Sequence, residues 1–195
     1  EKNMINLTKP IESSFFSFEK DTELILEKLF IQNRQKGNEL KRLLVINTPD
    51  CLDTTNAKYQ QIVENKSVKD LKNEQYIKIT PKIAFKEHEE VKSYILISFD
   101  NFIPNATNPQ FRDCTVSFDI ICHTDYWDLG GFQLRPLKIA GYIDGLLNNC
   151  RLTGIGTFQF LGCSELILDE NLAGYTLLYS AVHGSDDRIE NNDDD

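Results

Sequence analysis

Two periodicities divide the chain. Between Asp21 and Ile46, apolar residues recur at intervals of three and four (Leu24, Ile25, Leu29, then Leu40, Leu43, Leu44), the spacing of one helix face. Asp21 and Thr22 supply N-cap chemistry, and Gly37-Asn38 reads as a break. The spacing predicts a helix near 21–35 and a short helix or strand near 39–46. The second element should end before Thr48-Pro49, because a residue preceding proline avoids helical backbone. Residues 47–75 are rich in Asn, Lys, Asp and Thr, with only a weak helical pattern at Tyr59, Ile62 and Val63. They read as an insertion or a loosely packed arm.

At Tyr76 the period changes to two. YIKITPKIAF alternates around a central proline that restricts it to a sheet edge or strand end. SYILISFDNF (93–102) and CTVSFDIICH (114–123) read as an antiparallel hairpin with a long polar connection. Cys114, Val116, Phe118, Ile120 and Cys122 share one face, and Thr115, Ser117, Asp119 and His123 share the other with Ile121, as in a sheet packed on one side. After Gly130-Gly131, Leu134, Leu137, Ile139, Ala140, Ile143, Leu146 and Leu147 mark an amphipathic helix within 132–149. GIGTFQFLGCSELIL (154–168) and GYTLLYSAVHG (174–184) predict two more strands, joined by a turn at Asp169-Glu170-Asn171.

The expected fold is therefore α+β: a mostly antiparallel sheet of four to five strands, ordered β-β-β-α-β-β, packed on one long helix, with a helical N-terminal region. The expected organisation is a helical region with a flexible arm and insertion (1–75), an α+β domain (76–184) and an acidic tail (185–195).

Composition narrows the function classes. With 41% hydrophobic and 26% charged residues, the chain has ordinary globular usage. Its apolar runs are far shorter than the ~20 residues of a membrane-spanning helix, so no membrane partner is expected. EKNMINLTKPIESS carries no secretory pattern, and five cysteines without CxxC spacing read as reduced thiols of a cytoplasm-made protein. Net charge is −9 and basic residues form no stripe, which argues against sequence-specific nucleic-acid binding.

No motif demands chemistry. Cys122 and His123 are adjacent on a strand and point to opposite faces, which precludes a hydrogen-bonded dyad with Asp125 in attendance. His88, His123 and His183 lack ligand spacing, so no metal is expected. Gly154-Ile155-Gly156 and Gly130-Gly131-Phe132 fit no phosphate-binding loop, and Asp125, Asp128 and Asp144 read as solvated caps. The expectation is a protein that is not an enzyme and takes no cofactor.

The succession of the strand FDIICHTDYWD, the helix LRPLKIAGYIDGLLNN with Ile139, Ile143 and Leu147, the strand GIGTFQFLGCSEL and the closing strand AGYTLLYSAVHG with Tyr175 and Tyr179 resembles a known family. It is similar to the lambda-type tail terminator or tail-completion proteins of long-tailed phages and their relatives among head-to-tail connectors. The resemblance covers about 110 residues in element order and apolar pattern. It implies a virion protein of the neck or tail, assembled in the host cytoplasm into a hexameric or dodecameric ring. Its partners would be portal or adaptor and tail proteins, with DNA passing through the centre. A neck adaptor of a short-tailed phage is the alternative; from another class, a small cytoplasmic ligand-binding or enzymatic α+β protein. Ring contacts are expected at Phe15, Phe16 and Phe18 in the N-terminal segment and at Phe102, Ile103 and Phe111 near the hairpin tip, where aromatic residues interrupt polar sequence. Trp127, the only tryptophan, fits either the domain edge or a ring contact.

Overall fold

The structure is a computed structural model, and it describes residues 15, 18–80, 91–107, 111–152 and 155–183. Phe16, the stretch 81–90 in which the first predicted strand continues, and the acidic tail 185–195 lie outside the described residues. Four helices come first: α1 (Phe18–Phe30), α2 (Arg34–Val45), α3 (Ala57–Glu64) and α4 (Val68–Asn73). The remaining elements are β1 (Ile77–Lys78), β2 (Ser93–Pro104), β3 (Arg112–His123), α5 (Arg135–Leu147), β4 (Arg151–Leu152), β5 (Gly156–Thr157), β6 (Gln159–Ile167) and β7 (Leu172–His183).

The chain is α+β, with five strands in the order β1-β2-β3-β7-β6 and every pairing antiparallel except that of β1 with β2. The helix break falls earlier than Gly37-Asn38. Asn33 caps α2 by accepting from the Lys36 amide at 3.1 Å, and Gly37 lies inside the helix. A Cβ at Gly37 would sit 2.4 Å from the Phe30 carbonyl oxygen, so its glycine permits the close crossing of α1 and α2. The predicted strand 154–168 is also interrupted. Phe158 is wholly buried, its amide donates to the Cys150 carbonyl at 3.0 Å, and its carbonyl accepts from the Asn149 amide at 2.8 Å, so β5 and β6 are separate strands. Residues 47–75, which the polar composition suggested as an insertion or arm, hold α3 and α4. Asn56 caps α3, Ser67 and Asp70 form a reciprocal capping box on α4, and Cys51, Val63 and Leu71 are buried.

One core joins the two regions that composition had separated. Ile25, Leu29, Leu40, Leu43 and Leu71 from the helices cluster with Ile95, Val116, Phe118, Ile143 and Tyr179 from the sheet side. The sheet is thus covered on one face by α5, α1 and α2 together, where a single long helix was expected. Phe118 and Phe158 meet Tyr179 edge to face at 5.8 and 6.0 Å, and the Tyr179 hydroxyl donates to Asp144 at 2.9 Å.

The seam between helices and sheet is closed by Arg135, which has no exposed surface. Its Nη1 donates to the carbonyls of Leu43 at 2.6 Å and Ile46 at 2.9 Å, its Nη2 to Thr48 at 2.9 Å, and its Nε to Tyr126 at 2.7 Å. The Leu43 and Ile46 oxygens lie at the C-terminal end of α2, where unpaired carbonyls and the helix dipole favour a cation. Replacing Arg135 with Ala leaves these carbonyls buried without donors. Urea unfolding should show a loss of about 3–5 kcal/mol, the scale seen when one side of a buried charged contact is removed. R135K should recover only part of it, because an ammonium cannot reproduce the planar fork of donors.

Candidate assembly surfaces

The aromatic arm and the hairpin meet within one chain. Phe15 packs edge-on against Phe102 with ring centroids 5.1 Å apart, and Phe18 against Phe99 at 4.4 Å. This is the end of the sheet where Pro104, Arg112 and His183 stand side by side in register. Phe15 and Ile103 nevertheless remain 51% and 58% exposed, whereas Phe18, Phe102 and Phe111 are half-buried. Trp127 lies at the opposite end, its indole N–H donating to the Cys122 carbonyl at 3.2 Å and its ring 6.4 Å from Tyr175.

Beneath the aromatic end, His183 and Asp21 are both buried and hydrogen-bonded through the His183 Nδ1 and an Asp21 carboxylate oxygen. The bond ties α1 to the last residue of β7. Burial raises the Asp21 pKa above the ordinary 3.8, and His183 and Lys20 oppose that rise. Phe15, Phe18 and Phe102 all lie within about 6 Å of the imidazole and keep water from the pair.

A groove of about 630 Å³ runs between α1 and α4. Leu26, Ile31, Val68 and Ile79 supply apolar lining, and Glu19, Glu23, Glu27, Lys69 and Lys72 supply charge.

A second exposed apolar region, which the sequence reading did not single out, follows the C-terminal half. α5 packs mainly over β3 and β7, and at its end the Asn148 side chain accepts from the Phe160 amide of β6 at 3.3 Å. Phe160 is 43% exposed, Leu161 58%, Ile167 74% and the following Leu168 39%. Phe132, in the loop before α5, is fully exposed with φ 63°, after Gly130 and Gly131 at 78° and 57°. Three successive left-handed residues are held by three hydrogen bonds. The Gly130 amide donates to Asp128 Oδ1 at 2.7 Å, the Leu129 amide to the Gln133 carbonyl at 2.9 Å, and the Gln133 amide to the Gly130 carbonyl at 3.1 Å. A phenyl side chain therefore projects from a closed loop whose backbone costs of order 1 kcal/mol or more to hold there.

Groups with nucleophilic potential are muted by their surroundings. Burial pushes the Cys122 and Cys114 thiols up to about 12, so neither is a thiolate at neutral pH. His123 lies on the opposite face from Cys122, and its Nδ1 accepts from the Asp125 amide at 3.3 Å. Among the described residues no group of three or more His, Cys, Asp or Glu is placed to hold a metal ion, and no helix is long and apolar enough to cross a membrane.

Residues 38–181 match the family model YomW. The chain belongs to the YomW family. This is a phage-derived family of the SPbeta-like prophage type. Its matched region runs across the boundary near residue 75 and takes in most of α2, the seam at Arg135 and the sheet up to the last two residues of β7, so the family match covers helices and sheet together and not the sheet alone. A search of curated proteins finds no match.

Replacing His183 with Leu strands Asp21 in the core, and chemical unfolding at pH 7 should show a loss of about 3 kcal/mol. A raised native pKa means that the folded state holds the Asp21 proton more tightly than the unfolded chain does. The Asp21 contribution to stability is therefore most favourable below the unfolded value of 3.8 and falls as pH rises through the raised native value. With the His183 contact gone, the pKa rises further. The deficit of H183L relative to the parent should accordingly shrink as the buffer is taken from pH 7 towards pH 5.

Proposed function

We propose that this YomW-family chain is a structural, non-enzymatic virion subunit that closes into a hexameric or dodecameric ring at the neck or tail top of a phage. The ring joins portal or adaptor proteins to tail proteins and lets DNA pass. The observation that carries this reading is the display of large apolar side chains on ordered elements: Phe15 and Ile103 at the aromatic end, Phe132 on its closed loop, Leu161 and Ile167 on β6. Such side chains are unfavourable in water and are the usual content of interface cores.

The phage-derived family supports a phage setting, and the layering of antiparallel strands under helices agrees with the resemblance to tail terminators. A net charge of −9 suits a channel wall to which DNA does not adhere. Tail terminator and neck adaptor share these requirements. A second reading, a small ligand-binding α+β protein, has one observation in its favour, the groove between α1 and α4.

Mass photometry of the purified chain, alone and with portal and tail-tube proteins, separates the two. Rings of six or twelve copies, or stoichiometric incorporation into neck or tail particles, are expected. A chain that stays monomeric under all these conditions and joins no particle contradicts the proposal.

A further inference from the structure

Strand β6 is an edge of the sheet. It pairs with β7 along one side, and among the described residues no strand pairs with the other; the Phe160 amide donates to the Asn148 side-chain oxygen at 3.3 Å. Its nine residues span about 30 Å, carry a single charged side chain, Glu165, and expose Phe160, Leu161 and Ile167. Natural edge strands are normally kept short, charged or covered, since open N–H and C=O groups template pairing with another chain. This edge has one such defence, a bulge at Leu161 that leaves Gly162 to Ile167 in regular register. The opposite edge of the sheet is β1, which has only two residues. β1 pairs β2 only at Ile95 and Leu96, so the rest of β2 is also open on that side among the described residues, but that stretch carries Asp100, a break in register between Asp100 and Ile103, and Pro104. β6 is therefore the long open edge with an apolar surface, and its match in another copy is the same strand.

We infer that β6 pairs antiparallel with β6 of a second copy across a two-fold axis at Cys163, joining two five-stranded sheets into one of ten strands. Cys163 is the central residue of the strand and is exposed. Charge selects this register. An axis at Glu165 sets two carboxylates directly against each other, and an axis at Ser164 leaves them about 7 Å apart. With the axis at Cys163 they lie about 13 Å apart, beyond the screening length of roughly 8 Å at physiological salt, and each Glu165 falls beside Leu161 of the other copy. Phe160 then falls opposite Leu166 of the other copy, and Leu161 lies diagonally beside its Ile167. The contact is isologous, so it closes on itself and cannot run on into fibres. It does not depend on the ring reading. Added to a six-membered ring, it stacks two rings back to back and gives twelve copies.

The test uses the full chain in sedimentation velocity from about 1 to 100 µM, a range chosen because one strand pair lies at the small end of protein interfaces. A dimer that strengthens with concentration is expected. Leu161→Glu, which sets one carboxylate opposite each Glu165 of the other copy, should weaken it at least tenfold. Leu161→Lys at the same exposed position should preserve or tighten it. Diamide, which takes up two electrons and two protons as an Sγ–Sγ bond forms, should give a covalent dimer of the parent chain and none of Cys163→Ser. Circular dichroism checks that each variant folds. Association that responds alike to Glu and Lys at Leu161, or that gives no Cys163-dependent covalent dimer, overturns the inference and leaves a ring built on other surfaces intact. A parent chain monomeric across the whole range overturns it as well, while incorporation into phage particles still decides the ring.

Discussion

The guanidinium of Arg135 is the contact on which the rest of the architecture leans. A buried cation is costly unless its hydration is replaced, and here the replacement is four backbone carbonyls drawn from two distant parts of the chain. Three of them, at Leu43, Ile46 and Thr48, belong to the exit of α2, and one, at Tyr126, to the turn that follows β3. The residue itself opens α5. One side chain therefore fixes the N-terminal helices, the hairpin and the covering helix relative to one another. Cys51 lies close enough for the same charge to lower its thiol pKa, although burial outweighs that effect and leaves it raised.

With this seam in place the sheet has two unlike faces and two unlike edges. The helix-covered face is dry, from Ile95 through Phe118 to Tyr179. On the far face a small cluster of Tyr94, Leu96, Ile121 and Leu172 occupies one end, and polar side chains follow, among them Thr176, whose hydroxyl donates to Asp119 at 2.6 Å. The helical layer lies mainly over β3 and β7, and β6 keeps Phe160, Leu161 and Ile167 exposed. The long edge, the projecting Phe132 and the remaining exposure of Phe15 and Ile103 are the apolar surfaces that the proposed assembly would use.

Much of the fold was legible in the sequence because alternation and helical spacing report burial directly. β2, β3, β7 and α5 fall where Ile95 to Ile97, Val116 to Cys122, Leu177 to Ala181 and Ile139 to Leu147 predict them. The helices of 47–75 were obscured because each buries only one or two apolar residues, Val63 in α3 and Leu71 in α4, too few to stand out from their polar neighbours. The role of Arg135 left no trace in the pattern, since a buried arginine at the start of a helix has the same local spacing as an exposed one. Nor did the edge position of β6, whose apolar residues occur at both parities, Phe160 beside Leu161 and Leu166 beside Ile167. Pairing order is a property of the whole sheet. The aromatic arm and the hairpin tip were singled out as two surfaces because their contact spans more than eighty residues of sequence.

Native-state hydrogen exchange offers the most direct test of the claim that helices and sheet form one unit through the Arg135 seam. The account predicts that the slowest amides of α1 and α2, such as those of Leu29 and Leu43, open with the same free energy as those of Phe118 and Leu177 in the sheet, at the global unfolding limit. Exchange of the α1 and α2 amides through a separate, lower-energy opening while the sheet stays protected would contradict it.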